Sequence, residues 1–151
     1  MSYVTSVLQP DEKIIATGHV HWIIYIRGLI VLVVALLIYA IAPDIGVGSF
    51  IRIVAILGML VALYDLGRAW INKVTTEVAV TNKRVIKKRG LIWRETAEMN
   101  MDKVESALVE QSLLGRVLNY GSIVIRGTGS GIEGLNHIAK PLDLRSAILV
   151  R

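Results

Sequence analysis

The chain has 151 residues, is 54% hydrophobic and carries a formal net charge of +5. That length allows one ordinary domain, or two membrane spans followed by a small domain. Cysteine is absent, which excludes disulfides, thiolate–metal sites and thiol nucleophiles.

Residues 1–21 read as an N-terminal segment on the cytoplasmic side. Asp11 and Glu12 outnumber Lys13 there, which is a poor start for a signal peptide. Ala40-Ile41-Ala42 does offer a small-x-small cleavage pattern, but a second apolar run downstream makes a retained hairpin the simpler reading. From Gly28 to Ala42 there is no charge, amide or proline. Extended back to Trp22, the segment over residues 22–42 would be about 31 Å long as a helix, which matches a bilayer core. Residues 50–70 form a second segment of equal length, and Pro43 to Ser49 supplies the turn between them. A transmembrane hairpin over residues 22–71 is therefore expected.

Orientation follows from the flanking charges. The connecting turn carries Asp44, with Arg52 just inside the second span, whereas the other end carries Arg68, Lys73 and the cluster from Lys83 to Arg89. The positive-inside rule puts both termini and the C-terminal domain in the cytoplasm. Arg27 and Asp65 lie five residues in from Trp22 and Trp70, so a hairpin would hold them at one depth, with Arg68 a turn away. Intramembrane ion pairs can mark an ion or proton pathway. The deep part of each span is uncharged, which favours an interfacial pair with Arg27 reaching the head groups. Ala55, Gly58 and Ala62 on the second span, and Gly28 and Ala35 on the first, form small faces that serve either the hairpin or a contact between protomers.

After Lys73 the pattern becomes strand-like. Residues 75–81 alternate and are rich in β-branched side chains, Asn82-Lys83 suits a tight turn, and residues 84–89 return as a second strand. Gly90 breaks it. Further strands are expected over 91–100, 105–111, 122–126 and 135–138, with a connection over 101–104. A short helix over 113–118 ends at Tyr120-Gly121, residues 127–131 form a loop, and a final helix opens at Pro141 with Leu142, Leu144, Ile148 and Leu149 near one face. These elements describe a mainly-β domain over residues 73–151, a small barrel or split barrel with a C-terminal helix.

The string TTEVAVTNKRVIKKRGLI, then MDKVESALVEQSLLGRVLNYGSIVIRGTGSG and the Pro-initiated helix, resembles bacterial membrane-anchored PH-like domain proteins over about residues 73–148. The opening LQPDEKIIATGHVHW and the hairpin also look like that family. Two markers carry the likeness: Thr81-Asn82-Lys83-Arg84, and Gln111-Ser112-Leu113-Leu114-Gly115-Arg116 ahead of Tyr120-Gly121. The resemblance implies a PH-like fold of two packed antiparallel sheets capped by one helix, in a bacterial inner-membrane protein. It implies no particular activity, since PH-like domains bind lipids, peptides or proteins. The domain is short for that fold, which leaves one strand either missing or supplied by residues 13–18.

Lys83, Arg84, Lys87, Lys88 and Arg89 form a basic hairpin that either grips anionic lipid phosphates, as the resemblance implies, or serves as a solvated edge that sets topology. The domain's +5 is mild for a nucleic-acid binder, and it offers only Trp93 and Tyr120 for base stacking. No nucleic-acid partner is expected. Gly129 to Gly134 matches the dinucleotide fingerprint formally, but no helix, parallel strand or distant acid can follow, so a loop is expected. His19 and His21 share a direction on a strand without a third metal ligand, and His137 is isolated. No nucleophile or carboxylate pair suggests an enzyme, and no cofactor is implied. The expected function is a membrane-anchored binding or scaffolding module whose partners are membrane lipids, a second copy or another membrane protein. The alternative is a subunit of an oligomeric transport or channel assembly built from the hairpins.

Overall fold

The computed structural model describes residues 3–43, 46–90, 95–129 and 131–149. It divides into two compact units, residues 22–71, and residues 1–21 together with 72–151. Asp44, Ser130 and residues 91–94, the first part of the expected third strand, lie outside the described residues.

The first of these units is helical. A 3₁₀ turn over Trp22–Tyr25 leads into α2 (Ile26–Ile41), and α3 (Val47–Thr75) begins within the expected turn and outruns the expected second span at both ends; α1 (Tyr3–Val7) belongs to the other unit. Val47, Gly48 and Ser49 enter the first turn of α3, where backbone N–H groups need no helical partner. Both helices are long and apolar enough to cross a membrane. Their burial is the reverse of a soluble pair: Leu29, Val33, Leu37, Leu57 and Leu63 are exposed, whereas Ala35, Ala55 and Ala62 are buried. The small faces meet each other. A methyl group on Gly28 would stand 2.8 Å from Leu66 Cγ, and one on Gly58 would stand 3.3 Å from Ala35 Cβ. The small residues therefore serve close approach within the hairpin.

The other unit holds two antiparallel sheets. β1 (Ile14–Gly18), β2 (Glu77–Thr81), β3 (Arg84–Arg89) and β4 (Glu95–Asn100) form one, in that order, and β5 (Val104–Glu110), β6 (Tyr120–Gly127) and β7 (Gly131–Ala139) form the other. α4 (Leu113–Val117) joins β5 to β6, and α5 (Pro141–Leu149) follows β7. Val80, Val85, Ile86, Ile123, Ile125, Leu135 and Ile138 are almost wholly buried, and Leu144 and Ile148 of α5 join that core. Residues 14–18 supply the strand that the domain would otherwise lack. The segment that follows them changes sheet: the His21 amide donates to the His137 carbonyl at 2.6 Å, and the Ala139 amide donates to the His19 carbonyl at 2.9 Å. The nine residues from Lys13 to His21 thus join both sheets by hydrogen bonds.

Four expectations need correction. Of the expected barrel or split barrel, a closed barrel is not formed: among the described residues the strands make two separate sheets. Thr75 ends α3 rather than starting a strand; its β-branched neighbourhood imitates one, but the Thr76 amide still donates to the Asn72 carbonyl at 3.1 Å. Tyr120 and Gly121 open β6 instead of ending the helix, and β7 is twice the expected length because bulges break its alternation.

The close approach at Gly28 is testable. Gly28→Val should lower hairpin stability by about 1–3 kcal/mol through overpacking against Leu66. Gly67→Ala, where an added methyl meets nothing within 4 Å, should leave it unchanged or raise it. Unfolding of the full chain in mixed micelles measures both, and equal losses would refute the packing account.

Candidate functional site

β3 is an inner strand of its sheet, and its middle is covered on both faces. Val85 and Ile86 are fully buried, and Lys87 is only 4% exposed. From Lys83 to Arg89 the chain extends about 20 Å, too far for the five cations to form one patch. At the turn, Lys83 is exposed and its Nζ donates to the Pro10 carbonyl at 3.2 Å. Lys87 Nζ stands 3.7 Å from Glu95 Oε1, and Lys88 Nζ stands 3.9 Å from Glu77 Oε1. Arg89 is exposed at the far end.

Arg84 is an internal cation. Its Nε and Nη2 each donate to a Glu12 oxygen at 3.0 Å, its Nη1 to Glu98 at 2.7 Å, and its Nη2 also to the Val7 carbonyl at 2.8 Å. The Thr81 hydroxyl donates to Glu12 at 2.8 Å. Asn82 accepts from the Lys13 amide at 2.8 Å and donates to the Asp11 carbonyl at 3.2 Å. Every residue of the Thr81-Asn82-Lys83-Arg84 marker therefore grips residues 7–13, so this marker and the opening stretch of the chain are partners.

The second marker is also a piece of construction. The Ser112 hydroxyl caps α4 by accepting from the Gly115 amide at 3.1 Å, while Gln111 Nε2 donates to the carbonyls of Gly115 at 3.2 Å and Tyr120 at 3.0 Å. The turn so held projects Leu113, Leu114 and Val117 into solvent.

What these two markers leave open lies along β7. Its register against β6 shifts twice, between Gly121 and Ile123 and between Ile123 and Ile125, and each shift adds a residue to β7. The additions fall at left-handed residues, Gly134 with φ +74° and His137 with φ +56°. A histidine there is a departure that bulges beside functional sites often show. Tyr120 stacks between His21, at 5.3 Å, and His137, at 6.1 Å. Burial pushes the His21 pKa down, and its neighbours Lys73 and His137 add to this. Two grooves flank His137. One of about 460 Å³ is lined by Glu110, Gln111, Ser112, Tyr120 and Ser122. The other, of about 220 Å³, is lined by Asn72, Thr76, Arg89, Gly134 and Asn136. Sequence reasoning singled out Arg89 and set His137 aside; the bulges that bring them together leave only a broken alternation as a signal.

The remaining expected sites are placed as follows. Within the helical unit, Arg27 Nε lies 3.4 Å from Asp65 Oδ2, the arginine side chain 84% exposed and the aspartate 23%. Arg68 is exposed. His19 Nε2 lies 3.3 Å from the Thr17 hydroxyl, and His21 is in the stack, so the two imidazoles have separate surroundings. No cluster of three metal-ligating side chains occurs among the described residues. β7 begins at Gly131, so the glycine-rich string opens a strand and no helix.

Glu12 makes the Arg84 contact sensitive to pH. Burial alone would raise its pKa, but the Gln9 amide, Arg84 and Thr81 outweigh this and hold it at about 2, down from 4.5. A depressed carboxylate contributes stability above its unfolded pKa and loses it as pH falls through the folded one. Stability should therefore drop between about pH 4.5 and pH 2, by on the order of 2 kcal/mol once solvent screening is allowed for. Glu12→Gln should lose this pH dependence and, by stranding Arg84, cost about 3 kcal/mol at pH 7. Urea unfolding of the full chain at pH 3 and pH 7 checks both.

The model of the family described as Bacterial PH domain matches residues 14–148, from the first residue of β1 to the last turn of α5. A search of the curated proteins gave no significant match, and a search of the solved structures gave none either. The matched span takes in both sheets, the helical hairpin between β1 and β2, and the helix after β7, and the chain belongs to the bacterial PH domain family.

Proposed function

We propose that the chain is a membrane-anchored binding module, with its hairpin crossing the bacterial cytoplasmic membrane and its PH-like unit on the cytoplasmic side. One observation carries this reading: β1 precedes the apolar hairpin, β2 follows it, and the two are paired in one sheet. Both flanks of the hairpin must then lie on the same side of any bilayer it enters, which two crossings satisfy and one does not. Cleavage after Ala42 would remove β1 and Glu12 together and strand Arg84 in the core. The basic residues after the second helix favour the cytoplasmic side, and the charge surplus there suits anionic head groups or an acidic protein surface. Catalysis is not part of the proposal, since the PH family is typically non-catalytic.

The natural absence of cysteine allows a direct test by single-cysteine labelling with a membrane-impermeant maleimide. Gly46→Cys, in the hairpin turn, should label in spheroplasts. Thr128→Cys, on the exposed end of the second sheet, should label only after lysis. Labelling of Thr128→Cys in intact spheroplasts would overturn the orientation, and release of the whole chain by carbonate washing would overturn the anchoring.

A further inference from the structure

We propose that the groove between the end of β3 and the bulged stretch of β7 is a binding site for a phosphate-class oxyanion. This deepens the binding role proposed above and rests on the membrane reading only for the source of the phosphate. The argument starts from the lining. Asn72, Arg89, Asn136 and His137 carry side-chain hydrogen-bond donors, and no carboxylate occurs among the described lining residues. A groove lined this way suits a ligand that only accepts.

The charge around it has the matching sign. Arg89 is exposed and makes no ion pair with any described residue. Its cross-strand neighbour Glu95 is turned to Lys87, 3.7 Å away. A methyl group on Gly134 would stand 3.3 Å from Lys87 Nζ, so a buried ammonium lies directly behind the lining. The C-terminal end of α3 contributes about half a negative charge, and Lys73 in its last turn answers it. The neutral donors are oriented as well. Thr76 Oγ1 donates to Asn72 Oδ1 at 3.3 Å, which occupies the acceptor of that amide and leaves its NH₂ group to donate. The β7 bulges do the rest: the left-handed backbone at Gly134 and His137 brings Asn136 and His137 to the groove from a strand whose regular alternation would not. One guanidinium ringed by several neutral donors fits a phosphate, with three or more acceptor oxygens, better than a carboxylate with two. A volume of about 220 Å³ accommodates such a group with several waters at about 30 Å³ each.

The site differs from the basic turn at Lys83 and Arg84, about 20 Å along β3, and that distance supplies the control. The full chain in neutral detergent is titrated with sodium phosphate against sodium chloride at matched ionic strength, read by thermal unfolding. In parallel, retention of phosphatidylglycerol and phosphatidylcholine is read by native mass spectrometry. Phosphate should stabilise the chain saturably. Arg89→Gln and Asn136→Asp should each weaken that binding about tenfold, roughly one charge-assisted hydrogen bond, while Lys83→Gln changes it less than twofold. Asn136 is exposed, so its variant tests the site even if Arg89→Gln folds poorly. Preferential retention of phosphatidylglycerol, lost in Arg89→Gln, assigns the phosphate to a lipid head group. Saturable binding of free phosphate with lipid retention indifferent to Arg89 assigns it to a soluble ligand. Absence of both effects, or equal weakening by Lys83→Gln, overturns the site. Neither outcome touches the labelling test of topology, so failure of the site and failure of the anchor are separable.

Discussion

The PH-like unit depends on a contact made across the hairpin. β1 and the residues before it precede the two apolar helices, and everything they hold follows them. Pairing Gly18 with Val78 closes a loop of about 60 residues. For a flexible chain that closure costs about 4 kcal/mol. A helical hairpin, whose outer ends are already drawn together by Arg27 and Asp65 at 3.4 Å, removes much of that cost in advance. The Arg84 network then fixes the register. Five hydrogen bonds from Thr81 and Arg84 converge on residues 7–12 and on Glu98, and a one-residue slip of β1 would break most of them.

This arrangement also explains how a basic string fails to make a basic surface. β3 alternates, but both faces of its middle are covered, so Val85, Ile86 and Lys87 all meet protein. Arg84 is neutralised by Glu12 and Glu98, Lys87 by Glu95, and Lys88 faces Glu77. The positive charge that remains for a ligand is at the two ends of the strand, and the end at Arg89 meets a groove built of donors. Counting charges along the chain overstates the field at any one point, because neighbouring strands answer most of them.

Legibility in the sequence followed the range of the interactions. Apolar runs of span length and the β2–β3 hairpin are local patterns, and both were readable, apart from helix ends. α3 ran on to Thr75 because helical hydrogen bonding persisted through β-branched residues whose local preference is extended. Only half of β7 is legible, because two bulges destroy the period of two on which strand recognition rests. The strand at residues 14–18 was seen only as one of two options, since its partner lies some 60 residues away beyond the hairpin. The role of Arg84 was out of reach for the same reason: nothing in VTNKRVIKKR distinguishes the cation that holds Glu12 from the one that ends at solvent.

The β7 groove, of about 220 Å³, suits the tethered domain proposed above. A free protein that must find a ligand at micromolar concentration needs about 8 kcal/mol of binding free energy, whereas one held beside its ligand at millimolar effective concentration needs about 4. A single exposed guanidinium with a few neutral donors around it suits the second figure better than the first. Under the anchoring proposed above, the hairpin would fix where the domain can be, and a domain confined there would have no need of tight binding. Strong binding would be a handicap for such a module, because a site saturated by the surface beside it could no longer respond to a change in that surface.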